Sequence, residues 1–295
     1  MKQPVGQLDV WKFGKQLIET QDLDPVYTLM KDNKMLSSPG IRARFYLAYW
    51  CFYDIGVASY IADGGSIERF WQRMMIAAVN EFEAPMGGRW PRAAERRHFR
   101  GQKCITALDE IYKILNRDPI NIFNYLLFNV TSPIPFPVLR KKVLELPQFG
   151  PWMAFKIGDM LERVDGIAID FNGSDVFMFK DPTEGALLVW DSLYHRDDLE
   201  QIDRSTKAIC RRISNDLIKY FNQEPAYLAP PDKGRTINIQ EVETILCKWK
   251  SHRHGNYEVG KDTEHCLASL NKWAPYSELA RGFDLAVFNQ VMRMK

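Results

Sequence analysis

Residues 41–62 are apolar almost all the way round when laid on a helix, and they carry Phe45, Tyr46, Tyr49, Trp50, Phe52, Tyr53 and Tyr60. A helix with no polar face has to be surrounded on every side, by lipid or by protein. Asp54 and Gly56 interrupt its most apolar part, 45–62, and Arg42, Arg44 and Asp63 flank that part closely, so a long buried core helix is expected rather than a membrane span. Such a helix demands other helices to cover it, and the remaining pattern supplies them. Helical periodicity or helix-start signals predict helices at 10–20, 25–32, 67–82, 93–115, 121–129, 138–145, 153–163, 181–189, 204–221, 239–250, 263–273 and 276–292. Ser66, after Asp63-Gly64-Gly65, is placed to cap the helix that follows. Only 166–180, β-branched and aromatic with two glycines, reads as extended or loop. The expected class is mainly α.

The linear pattern suggests an N-terminal helical extension at 1–40, a helical core at 41–223 and C-terminal helices at 236–295. Residues 224–235, with Pro225, Pro230 and Pro231, are the best linker candidate. Five widely spaced cysteines without a CxxC suit reduced thiols rather than a disulfide framework. The N-terminus has no signal-peptide pattern, so a cytoplasmic protein is expected. A net charge of +2 over 295 residues does not announce nucleic acid, so any basic surface has to be local. The chain lacks a GxxxxGK[ST] loop, GxGxxG after a strand, HExxH and GxSxG, which excludes an ordinary P-loop kinase and several hydrolase classes.

One local basic stretch stands out. Arg89, Arg92, Arg96, Arg97, Arg100 and Lys103 place six cations within fifteen residues, opposed only by Glu95. On a continuous helix Arg96, Arg100 and Lys103 would share one face, with Arg92 joining them. Guanidinium forks bind phosphate oxygens, and Trp90, His98 and Phe99 lie close enough in sequence to stack on bases. The bland alternative is a solvated helix face. A second basic stretch, Lys248, Lys250, His252, Arg253 and His254, precedes a glycine-containing turn at 255–262 that would contact phosphate or simply turn the chain. Cys247, His252, His254, His265 and Cys266 match no metal-ligand spacing, so neither metal nor cofactor is expected.

The segment Leu146-Pro-Gln-Phe-Gly-Pro-Trp-Met-Ala154 joins two predicted helices. Pro151 suits a first helical turn, and Gly150 suits a tight turn before it. A hairpin opening onto a helix N-terminus offers free N–H groups to a phosphate, contacted here by Gln148, Gly150, Trp152 and Lys156. The alternative is a structural helix–loop–helix corner. Downstream, Asp170 and Asp175 are either functional carboxylates or loop aspartates bonded to local backbone.

This hairpin resembles the helix-hairpin-helix of DNA glycosylases, which typically reads Leu-Pro-Gly-x-Gly-x-x-x-Ala. Gln148 stands where that pattern has its first glycine. Ser174-Asp175-Val176-Phe177-Met178 is similar to the context of the superfamily's catalytic aspartate, with Ile169-Asp170-Phe171 the competing alignment. Trp152 occupies the position of the lysine nucleophile of bifunctional glycosylases, and no four-cysteine cluster exists, so a conventional repair lyase is not implied. Together with Glu95-Arg-Arg-His-Phe-Arg-Gly101 and the segment ending Leu-Cys-Lys-Trp-Lys250, the hairpin resembles the alpha-glutamyl/putrescinyl thymine pyrophosphorylase group of bacteriophages, over roughly Arg42 to Trp273. That resemblance implies a glycosylase-like helical fold and chemistry on a 5-substituted uracil in DNA, in which an amine or amino acid replaces an activated phosphate. It implies double-stranded DNA carrying a modified pyrimidine as partner, an amine or amino-acid co-substrate, and no membrane. Phe155 and Phe177 would line a base pocket. The rival readings are a non-catalytic helical module serving a hydroxymethyluracil DNA kinase, and a monofunctional glycosylase.

Overall fold

The computed structural model describes residues 9–79, 82–128, 130–175, 179–193 and 205–288. In chain order its helices are α1 (Val10–Glu19), α2 (Pro25–Lys31), α3 (Pro39–Phe52), α4 (Ile55–Ala62) and α5 (Ile67–Val79). After these come α6 (Gln102–Ile114), α7 (Asn121–Leu127), α8 (Phe136–Leu144), α9 (Pro151–Arg163) and α10 (Lys180–Leu193). The last four are α11 (Thr206–Phe221), α12 (Ile239–Arg253), α13 (Lys261–Trp273) and α14 (Glu278–Arg281). Two short strands, β1 (Ile134–Pro135) and β2 (Ile169–Asp170), pair in parallel with Ile134 opposite Ile169. The protein is mainly α, as its periodicity predicts. No described helix is long and apolar enough to cross a membrane.

The chain divides into two units that are each discontinuous in sequence. One comprises residues 1–28, 171–263 and 288–295, the other 29–170 and 264–287. The first unit packs α1, α10, α11 and α12 around Phe13, Leu17, Val189, Ile213, Leu217, Phe221, Ile245 and Trp249. Its helix α12 begins at a capping box, in which the Asn238 N–H donates to Glu241 at 2.8 Å. Residues 224–235 belong wholly to this unit and are closed by a bridge between Leu228 and Thr236.

The second unit is built on the apolar run of residues 41–62. That run is two helices. Tyr53 adopts a left-handed backbone (φ 53°) and ends α3, and the Asp54 carboxylate accepts the Val57 N–H at 2.9 Å to start α4. Apolar periodicity is blind to this break, because both helices are buried and nothing polar marks their joint except Asp54. Phe45, Tyr46, Leu47, Trp50 and Phe52 are all fully buried, as expected of a core element. At the start of α3, Arg42 pairs with Asp165 at 2.9 Å and Tyr46 donates to the same carboxylate at 2.7 Å, which ties α3 to the residues just past α9. Burial raises the pKa of Asp165 and pushes the Tyr46 phenol well above its ordinary value.

Candidate nucleic-acid interface

Residues 145–150 form a turn between α8 and α9, at the position where the sequence predicts the hairpin. Gly150 is the N-cap of α9 and Pro151 its first residue. The N-cap residue, a glycine, has no side chain with which to cap the first-turn amides of this helix. The turn itself is made differently from the expectation. Gly150 is extended, with φ −108°, and the left-handed residue is Gln148, at φ +64°. Gln148 is therefore in a conformation that glycine adopts freely, at the one position where the glycosylase pattern has glycine and this chain does not. Trp152, half-exposed, meets Tyr53 edge-on at 5.0 Å, so the break between α3 and α4 and the start of α9 form one aromatic corner. Sequence reading missed Tyr53, which is hidden inside an apolar run.

The arginine-rich stretch is not one helix. A single 3-10 turn covers Ala94–Arg96, the chain bends at 97–101 with Gly101 at φ +76°, and α6 starts at Gln102. Arg96, Arg100 and Lys103 consequently share no helical face. Arg96 is 2% exposed. Its Nε donates to the Cys51 carbonyl at 3.0 Å and its Nη1 to the Gln148 carbonyl at 2.9 Å, with the guanidinium lying over Phe99 and Phe149. Burial lowers its pKa, an effect opposed by the nearby thiols of Cys51 and Cys104. Arg92, half-buried, donates to the carbonyls of Phe99 and Ala77 and lies over Phe52. Burial and then Arg100 bring the Arg92 pKa down to about 10. These two arginines join segments of the unit from within. Arg97, His98, Arg100 and Lys103 are exposed. The His98 pKa is lowered by partial burial and then by the charges of Arg96 and Arg97, which favours the neutral ring at neutral pH. Phe99 is fully buried against Phe52 at 5.7 Å, and so does not present a ring for stacking on bases.

Phe155 is 1% exposed and packs edge-on against Phe136 at 5.9 Å, a core contact in place of the expected base pocket. Lys156 is 6% exposed within α9, its ammonium 5.9 Å from the Phe155 ring. Both side chains turn inward because α9 is covered along most of its length, from Met153 to Leu161. Phe177 lies outside the described residues. Asp170 is half-buried in β2 opposite Pro135. In the other unit, Asp175 receives a two-pronged bond from Arg211 of α11, at 3.0 Å from Nε and 2.9 Å from Nη2. Arg211 was not singled out from the sequence, where it is one cation on an amphipathic helix.

The second basic stretch is largely internal to its unit. Lys248 is 8% exposed and donates to the Asp22 carbonyl and to the Tyr257 hydroxyl, with Asp262 at 2.7 Å. Burial lowers its pKa, but Asp262, Asp22 and Asp24 outweigh burial and the net shift is upward. Lys250 pairs with Asp181 and Glu184, and His252 stacks on Phe13 at 4.8 Å. The turn at 257–263 is fixed by Asp22, whose carboxylate accepts from the amides of Gly260 and Thr263. Of the expected second basic surface, Lys248, Lys250 and His252 are thus occupied by their own neighbours, while Arg253 and His254 are exposed.

Comparison with known sequences adds what the geometry alone does not. A profile of the family described as "Amino acid:DNA transferase" matches residues 39–257. A "Glycinyltransferase" of Pseudomonas phage PaMx11 is 36% identical over 292 residues, covering 96% of this chain and 97% of the relative. A "Putrescinyltransferase" of Delftia phage PhiW-14 is 24% identical over 282 residues, covering 91% of this chain and 80% of the relative. With most of its length matched by the profile and nearly all of it aligned to a phage transferase, this chain belongs to the amino acid:DNA transferase family of DNA-modifying enzymes.

Proposed function

We propose that this protein attaches an amine-bearing donor to a 5-substituted uracil in duplex DNA, by displacing an activated phosphate from the base's exocyclic methylene. In that step the donor nitrogen bonds to the methylene carbon, the carbon–oxygen bond to the phosphate breaks, and the amine proton passes to a base. Glycine is the donor to test first, because the glycinyltransferase aligns over the whole chain at the higher identity. The observation that carries the reading from the fold's side is the Arg96–Gln148 bond. It fixes the exposed Arg97, and through the short bend at 97–101 Arg100 and Lys103, to the segment that bears the hairpin. Cations on a leaving phosphate and N–H groups on the duplex backbone are what the reaction needs.

Either Asp170 or Asp175 is the carboxylate we assign to handling the amine. Asp175 would act from within its Arg211 pair, which orients it and holds both oxygens. The test is transfer of labelled glycine or putrescine to DNA containing hydroxymethyluracil, with and without prior phosphorylation of the base. Label retained on phosphorylated DNA only is the expected result. Release of free base would instead indicate a glycosylase, and binding with neither product would indicate a non-catalytic module.

A further inference from the structure

A cleft of about 550 Å³ opens beside α5, away from the hairpin residues discussed above, and nothing so far gives it a role. It is lined by Tyr60, Arg73, Met75, Phe82, Glu83 and Trp90, among others. Its character is set by rings. Trp90 is buried and stacks obliquely on Tyr60 at 5.9 Å and on Trp273 at 5.5 Å, which makes a rigid aromatic wall. Phe82, by contrast, is 62% exposed, the second most exposed large apolar side chain of the described residues. The cleft also holds a cation. The Arg73 guanidinium lies over the Tyr60 ring at 3.9 Å and donates one N–H to the Tyr60 carbonyl. Among the described residues no carboxylate pairs with it, although it is half-buried. Burial lowers its pKa, and Tyr60 and the more distant Asp63 offset this only in part. Gln72, on the same helix, adds an amide with a donor and an acceptor.

A partly desolvated guanidinium without an ion-pair partner, set against aromatic faces, complements a ligand that is both flat and anionic. A small zwitterion such as glycine would leave most of this apolar lining uncovered, whereas a nucleobase with its attached phosphate covers both the rings and the charge. We propose that this cleft receives one unstacked pyrimidine of the DNA substrate, its ring on the exposed ring of Phe82 beside the Trp90–Tyr60 wall and its anionic group on Arg73. The inference deepens the transfer reading given above and rests on DNA being the substrate. The anion is either the backbone phosphate of that nucleotide or a phosphate carried on the base itself.

The experiment uses the full-length protein and duplexes bearing a single 5-iodouracil, which are irradiated, with the adduct then mapped by peptide mass. The expected adduct is on Tyr60, Phe82 or Trp90, and its yield falls about fivefold or more in Phe82→Ala and in Arg73→Gln. Phe82 is exposed and Arg73 half-buried, and native melting curves confirm that the variants fold. Adducts confined to peptides outside residues 60–90 would overturn the proposal, as would yields unchanged in both variants. Duplexes with and without a phosphorylated hydroxymethyluracil separate the two sources of the anion. A loss of affinity in Arg73→Gln for both duplexes assigns the backbone phosphate, a loss for the phosphorylated duplex alone assigns the base-borne one, and no loss for either rejects the cleft. The glycine-transfer assay run on the same protein keeps the two readings apart. Transfer without a cleft adduct discards the cleft and leaves the enzyme, while a cleft adduct without transfer keeps the cleft as a DNA contact and discards the transfer chemistry.

Discussion

At position 148 the chain holds a left-handed backbone with a residue that has a Cβ, and it does so inside the turn that precedes α9. An L-residue in that region costs about 1–2 kcal/mol relative to its favoured conformations. Gln148→Gly is therefore expected to leave stability unchanged or raise it by about 1 kcal/mol, and Gln148→Val to lower it by at least that much, read from urea midpoints at constant m. The neighbouring residue that reaches this turn, Arg96, illustrates what sequence cannot weigh. Composition marks it as one of six equivalent cations, yet its two carbonyl partners come from α3 and from the hairpin. Arg96→Lys keeps the charge and loses the fork geometry, so a loss of about 2–3 kcal/mol in stability is expected. Arg97→Ala and Arg100→Ala, on exposed side chains, should shift stability by less than about 0.5 kcal/mol while weakening DNA binding. Loss of activity in an Arg96 variant would therefore report on folding before it reported on phosphate contact.

Helix by helix, the period of the sequence finds most elements and misplaces their joints. The predicted 239–250 and 204–221 helices correspond to α12 and α11 within a few residues, because each has a capping residue next to an apolar stripe. The helix predicted over 93–115 fails at its first half, where Arg96 and Phe99 turn inward and Gly101 takes a positive φ. The helix predicted over 276–292 is reduced to α14 and a 3-10 turn at Leu285–Phe288, with residues 289–292 outside the described set.

The joint between α3 and α4 is testable through Asp54, which is half-buried, caps α4 and accepts from Ser269 at 2.8 Å. Burial raises its pKa above the ordinary 3.8, against the opposing effect of its hydrogen bonds. A raised carboxyl pKa means that the folded chain binds more protons than the unfolded one just above pH 3.8, so this residue's contribution to stability falls as pH rises through that window. An asparagine at this position would keep the cap without titrating. The Asp54→Asn variant is thus expected to lack that slope and to gain on the parent above the window. Asp54→Ala, without a cap, should lose about 1 kcal/mol. Denaturant melts from pH 4 to pH 8, roughly the span where this carboxyl's charge matters, distinguish the two.

A second joint is the crossing of α10 on α12. A Cβ on Gly185 would sit 2.1 Å from the Leu246 carbonyl oxygen, so Gly185→Ala has to push two helices apart. An expected loss of about 3 kcal/mol, at the upper end for overpacking, is checked by thermal melting. The linear sequence places this glycine inside the helix predicted over 181–189 but does not record the backbone it meets.

For the whole molecule the measurable consequence is electrostatic. With Arg92 and Arg96 turned inward, the basic stretch offers Arg97, Arg100 and Lys103 to solvent, beside the exposed Arg89. If all three touch phosphates, replacing them together by alanine reduces the magnitude of the slope of log K against log[salt] by about 2.7, near 0.9 for each contact. A slope that does not change would remove this stretch from the DNA interface while leaving the family assignment intact.

The sequence by itself determined the helical class, the buried character of residues 41–62, the turn before α9 and the family resemblance, since each rests on local spacing or on residue identity. Only the tertiary structure decided which cations face solvent, that Phe155 is core, that Asp175 is held by Arg211, and that Tyr60, Arg73 and Trp90 share a cleft. Those facts depend on which segments meet. Meetings between residues as far apart as Arg96 and Gln148 are set by how whole helices bury their apolar faces, which no local pattern records.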